Sequence, residues 1–124
     1  MKREKTTIAG KEVSLAYCFA TEIGYKILAE EDISVFLGEA SAAIEQKRMP
    51  DLKKTICLIF AAINACSDYD DESAAISEKD IMHDATPSEM ANALGTILAL
   101  CNEFYRQPAG EPEDKPTEDE GKNA

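Results

Sequence analysis

At 124 residues the chain has room for one modest hydrophobic core and little more. Its hydrophobic share of 44% leans on alanine and its aromatic share of 6% includes no tryptophan, which suits a small-residue, mainly helical core. A net charge of −11 disfavours contact with phosphate backbones and anionic membrane surfaces, and the longest apolar run, Ile56 to Ile63, is far short of the ~20 residues a spanning helix needs, so a soluble chain that binds neither nucleic acid nor membrane is expected.

The first segment reads as a β-hairpin over residues 5–17. Val13, Leu15 and Tyr17 alternate with Glu12, Ser14 and Ala16, and Ala9-Gly10-Lys11 supplies the turn, with Gly10 at a positive-φ position. Two strands alone are marginal, so the hairpin must lie on the helices that follow. From Cys18 the apolar period changes to about four, and Phe19, Ile23 and Ile27 form the stripe expected to face the core, with Ala20, Gly24 and Leu28 beside it. Asp32 or Ser34 can cap a second helix whose buried stripe is Ile33, Phe36 or Leu37, Ala40 and Ile44. Pro50 closes that helix, and Asp51 can cap a third that is apolar nearly all round from Leu52 to Ala65.

A polar loop from Ser67 to Ser73 and a short turn near Glu78 to His83 lead to Thr86-Pro87-Ser88-Glu89, where threonine at the cap, proline at the first helical position and glutamate three residues on make a capping box. The last helix carries Met90, Leu94, Ile97, Leu98, Cys101 and Tyr105 until Pro108 ends it. Beyond it, 107–124 holds three prolines, two glycines, six acids and no aliphatic side chain larger than alanine, the composition of a disordered acidic arm. The expected layout is a mainly α single domain over 1–106, a hairpin packed on four or five helices, followed by the tail at 107–124. Its core is led by Leu15, Phe19, Ile23, Ile27, Phe36, Ile56, Phe60, Leu94, Ile97 and Leu98.

Candidate chemistry is sparse. Cys18, Cys57, Cys66 and Cys101 show no Cys-x-x-Cys pair and His83 is the sole histidine, so zinc spacing is absent, and the thiols read as reduced, in a cytoplasmic setting. Asp68, Asp70 and Glu72 begin like a calcium loop, but Ser73 stands where glycine is needed and Lys79 where a bidentate glutamate is needed. His83 beside Asp84 and near Asp80 is a conceivable acid/base pair without a nucleophile motif, and Gly10-Lys11 and Gly121-Lys122 lack phosphate-loop spacing. No catalytic role, metal or cofactor is expected. Lys47, Arg48, Lys53 and Lys54 gather at one helix junction, where they can meet solvent, an acidic partner or the chain's own tail.

The hairpin Thr7-Ile8-Ala9-Gly10-Lys11-Glu12-Val13-Ser14-Leu15, Tyr17 and Phe19 running into a helix, the alanine-rich helix Leu52 to Ala65, the acidic loop and Asp84-Ala85-Thr86-Pro87-Ser88-Glu89 opening a last helix together resemble the tail assembly chaperones of long-tailed bacteriophages. The resemblance spans about Thr6 to Arg106 and rests on hydrophobic pattern and short turns. It implies a small acidic helical protein that coats the tape measure protein in the host cytoplasm before the tail tube closes round it, and that is left out of the finished virion. It also implies a longer frameshifted product that contacts the tail tube protein. Gly121-Lys122-Asn123 is where a slippery codon run would fall. A helix apolar nearly all round in so small a domain suggests an uncovered face, with Leu58, Ala62, Leu100 and Phe104 as the expected client contacts and a second copy of the chain as a further candidate partner. The competing class is a non-enzymatic acidic interaction protein, either a self-associating helical scaffold or a DNA mimic.

Overall fold

The computed structural model describes residues 1–106, and the expected disordered tail at 107–124 lies outside the described residues. Strands β1 (Arg3–Ile8) and β2 (Lys11–Ala16) pair antiparallel with Thr6 opposite Val13 and Ile8 opposite Lys11. The loop between them is two residues long, and both are left-handed, Ala9 at φ 54 and Gly10 at φ 77. This is the type I′ geometry that matches the twist of paired strands. Five helices follow among the described residues: α1 (Phe19–Ala29), α2 (Ile33–Glu45), α3 (Leu52–Tyr69), α4 (Glu78–Asp84) and α5 (Pro87–Arg106). The domain is therefore mainly α with an N-terminal hairpin.

Helix α3 is the centre of the packing. Ten of its side chains are buried, on nearly every side of the helix, because α1, β2, α4 and α5 all lie against it. Its ends are fixed by polar contacts. The Asp51 carboxylate accepts from the Lys54 amide at 3.0 Å, and buried Thr55 donates to the Asp51 carbonyl at 2.8 Å, so neither the cap nor the hydroxyl is left unsatisfied. At the far end α3 runs on through Tyr69, where the sequence suggested a loop from Ser67. Arg3 of β1 holds Asp70 through two hydrogen bonds of 2.6 Å and stacks its guanidinium over Tyr69. That partner is 67 residues away in sequence and invisible to local pattern.

Leu15, Phe36, Ile56, Leu94 and Ile97 are buried as expected, and Phe60 and Leu98 are half-buried against the same core. Helix α1 departs from expectation. Its buried residues are Thr21 and Tyr25, while Phe19, Ile23 and Ile27 face solvent. Three contacts set this orientation. The Thr21 hydroxyl donates to the Ala16 carbonyl at 2.9 Å and accepts from the Cys18 amide, which pins the start of α1 to the end of β2. Gly24 lies so close to α3 that an added Cβ would touch the Ala61 Cβ at 3.4 Å. The Tyr25 ring stacks on Phe36 of α2 with centroids 5.7 Å apart, and its hydroxyl donates to Glu31 at 2.7 Å. Helix α2 follows suit: Ile33, Phe36, Ala40 and Ala43 are buried, and Ile44 is exposed.

The capping box of α5 forms as read. Thr86 Oγ1 accepts from the Glu89 amide at 3.1 Å, and Glu89 Oε1 accepts from the Thr86 amide at 2.9 Å. The same carboxylate also accepts from the amides of Ala9 at 3.0 Å and Gly10 at 3.2 Å. One side chain thus closes a helix start and the hairpin turn together. Hydrogen bonds from Thr86, and then from Ala9 and Gly10, hold the Glu89 pKa below its ordinary value of 4.5. A carboxylate with a depressed folded pKa contributes stability that is complete above its unfolded pKa and is lost as pH falls through the folded one.

We expect Thr86→Ala to lower unfolding free energy by about 1 kcal/mol in urea titration, the usual value of a helix N-cap. Glu89→Gln should lower the melting temperature at pH 7 and flatten its decline below pH 4.5. A variant with the wild-type melting temperature and acid slope would mean that the three-donor site adds nothing to folding.

Candidate protein-interaction surface

Turning Thr21 and Tyr25 inward places Phe19, Ile23 and Ile27 in one row on the outer face of α1, at 64%, 61% and 72% exposure. Their spacing of four residues runs them about 12 Å along the helix axis. Beside the row, between α1 and α2, lies a groove of about 440 Å³ with Ile23, Ile33, Leu37 and Tyr105 as its apolar walls. Glu22, Lys26, Asp32 and Ser34 form its rim, where Lys26 and Asp32 pair at 3.0 Å. An exposed apolar row bordering an open groove is the geometry that receives an amphipathic helix.

An aromatic cluster sets one end of this surface. Phe104 of α5 meets Phe19 edge-on at 5.1 Å, Tyr105 at 5.0 Å and Tyr17 at 5.7 Å between centroids. The Glu22 carboxylate receives the Tyr17 hydroxyl at 2.6 Å and also the Tyr105 hydroxyl, so the link after β2, α1 and α5 are joined through one acceptor. Burial and then the bond to Glu22 push the Tyr17 pKa up, and the bond to Glu22 pushes Tyr105 up to about 12. Both phenols therefore stay protonated donors at neutral pH. A second cleft, of about 590 Å³, opens beside Phe104 between Met1, Cys18 and Arg106.

Of the four expected client contacts, Leu58, Ala62 and Leu100 are buried and Phe104 is half-buried in the aromatic cluster. The reason is the packing of α3: the hairpin and α5 cover the faces that were expected to lie open. Open apolar surface lies instead on the α1 row and on Tyr105, which periodicity assigned to buried stripes, with Val35, Leu52, Tyr69 and Met82 exposed singly elsewhere among the described residues. A usable signal was present in Gly24, whose missing Cβ marks a close helix approach on the flank of α1 between the Ile23–Ile27 row and the buried Thr21–Tyr25 side.

The remaining candidates fall apart in space or are otherwise engaged. Asp70 is held by Arg3, Asp68 sits in the last turn of α3, and His83 is exposed on α4. Among the described residues no three His, Cys, Asp or Glu side chains converge as a metal-ligand set. The thiols of Cys57, Cys66 and Cys101 are pushed above the ordinary range by burial, so each is held as thiol, the unreactive form. No helix among the described residues is long and apolar enough to cross a membrane.

Because the row adds nothing to the core, Ile23→Ser and Ile27→Ser should each change unfolding free energy by less than about 0.5 kcal/mol. Leu58→Ala, at a fully buried site, should cost about 2–5 kcal/mol. Urea titration of the three variants checks the orientation of α1, and a large loss at Ile23 or Ile27 would reverse it.

Comparison with protein-family models, curated proteins and solved structures finds no significant match to this chain.

Proposed function

We propose that this protein is a tail assembly chaperone of the long-tailed phage type, which holds a long amphipathic helical client, the tape measure protein, on the outer face of α1 and keeps it soluble until the tail tube closes round it. The observation that carries this is the solvent-facing row Phe19, Ile23 and Ile27 bordering the α1–α2 groove. A helical client with apolar residues at three- and four-residue spacing can lay them against that row. The net charge of −11 supports the same role, since a strongly charged holder keeps an aggregation-prone client in solution. The resemblance described above supplies the identity of the client, and with it the host cytoplasm as the place of action and the tail tube protein as a further partner. The protein acts by binding and performs no chemistry.

Co-expression with a tape measure protein from the same genome tests the assignment. The client should be more soluble with this protein than without it, and a complex should survive purification. Ile23→Glu or Ile27→Glu should weaken that complex roughly tenfold each, the scale of a lost apolar anchor, at an unchanged melting temperature. A client equally insoluble in both cases would end the chaperone assignment. If sedimentation instead showed a dimer that Ile23→Glu disperses, the row would belong to a self-associating scaffold.

A further inference from the structure

Another groove, of about 420 Å³, lies between the C-terminal end of α2 and the exposed side of α5. Ile44, Met49 and Leu94 give it apolar walls, with Ile44 46% and Met49 38% exposed. Ala91 and Gly95 form its floor, and a Cβ built on Gly95 would meet nothing within 4 Å. Lys47 and Arg48 stand at its rim. Their backbone is fixed: the Lys47 amide bonds the Ile44 carbonyl and the Arg48 amide bonds the Ala43 carbonyl, a Schellman ending with Lys47 left-handed at φ 58.

The cations at this rim lack partners of opposite charge. In a chain with 24 acids and 13 bases, Lys2, Arg3, Lys5, Lys26 and Lys54 all have a carboxylate within 4.0 Å. Among the described residues six bases have none, Lys11, Lys79 and Arg106 singly and Lys47, Arg48 and Lys53 as a group at this junction, and Arg48 Nε donates to the neutral Gln46 amide at 2.8 Å. Of the two acids that flank them in sequence, Asp51 is used as the cap of α3, and Glu45 makes no ion pair within 4.0 Å among the described residues. An apolar groove with an unanswered positive rim calls for an occupant that is acidic and has small apolar groups.

The chain carries such a segment directly after α5. Residues 107–124 place Glu111, Glu113 and Asp114 around Pro112 and Pro116. The route is short. Gly95 and Ala99, both exposed, lead with Asn102 to Arg106 along one side of α5, about 17 Å from Gly95 at 1.5 Å per residue. Seven further residues, Gln107 to Glu113, can span up to ~23 Å. Small side chains along that side leave the path open.

We propose that the groove between α2 and α5 receives the chain's own C-terminal segment, with the carboxylates of residues 111–114 set against Lys47 and Arg48 and the prolines against Ile44, Met49 and Leu94. The contact stands apart from the α1 row and does not depend on the chaperone assignment. It shields an apolar patch with a tethered, charge-matched cover, and it leaves the same patch open to any stronger acidic competitor. Tethering makes a weak contact effective, since a short linker holds its segment at a high local concentration.

Amide resonances of the full chain test this. At about 20 mM salt, residues 111–116 should differ in chemical shift from a synthetic peptide of residues 107–124, and at about 500 mM salt the two should converge as the charges are screened. The double variant Lys47→Glu, Arg48→Glu should bring them together at low salt. Gly95→Leu, which fills the floor and leaves both cations in place, should do so independently. Coincident shifts at low salt in the wild-type chain would overturn the proposal. Differences that survive both variants would overturn it too, by placing the segment elsewhere, and shifts that grow with protein concentration would move the contact to a second copy.

Discussion

A helix with ten buried side chains and one half-open strip, at Phe60, Asn64 and Ser67, must be given partners on nearly every side, and α3 is such a helix. In about a hundred residues the surface-to-volume ratio is high, and enclosing one central helix consumes most of the apolar material available. The hairpin, α1, α4 and α5 are spent on that enclosure, each presenting one face inward. Helix α1 is the extreme case. Its inner face uses a threonine, a glycine and a tyrosine, chosen for fit and for polar atoms that find partners, and its large aliphatic residues are left outside.

Polar groups with several partners hold these layers in register. The Glu89 carboxylate accepts from three backbone amides, one at the start of α5 and two in the hairpin turn, and Glu22 receives two tyrosines, Tyr17 just after β2 and Tyr105 of α5. Lys54 reaches Glu31 at 3.2 Å and Glu39 at 3.4 Å, so the start of α3 is tied to the loop before α2 and to α2 itself. Exposed ion pairs of this kind add little stability singly. Their effect is on geometry: each names which segments must meet, where apolar packing alone would accept several arrangements.

Much of the fold was legible because local chemistry decided it. The alternation Val13, Leu15, Tyr17 and the caps at Asp51 and Thr86 act within a few residues of themselves, whereas α2, expected to be closed by Pro50, already ends at Glu45 in the turn at Lys47. Where distant partners decide, the pattern misled. The extension of α3 to Tyr69 depends on Arg3, the second use of Glu89 depends on a turn 80 residues earlier, and the rotation of α1 depends on Ala16, Ala61 and Phe36. Helix α1 carries apolar residues on both faces, so periodicity finds a stripe without choosing its direction. The candidate contacts Leu58 and Ala62 on α3 and Leu100 on α5 are buried for the same reason, since which faces of these helices are covered is a property of what surrounds them.

The exposed row on α1 is small for a binding site, and its size bears on what it can hold. Burying a large aliphatic or aromatic side chain is worth about 1.5–3 kcal/mol, so three of them, already partly covered, supply only a modest gross gain before the costs of association are met. A single such contact is weak and quickly reversed. A long helical client that repeats the matching stripe changes the arithmetic, because many small holders can occupy it side by side and each can leave without the others. In the proposed function, mutual repulsion between copies bearing a net charge of −11 would space them along such a rod and favour their release. A short apolar row on a highly charged domain is therefore suited to temporary, distributed cover of a rod, and poorly suited to a permanent one-to-one complex.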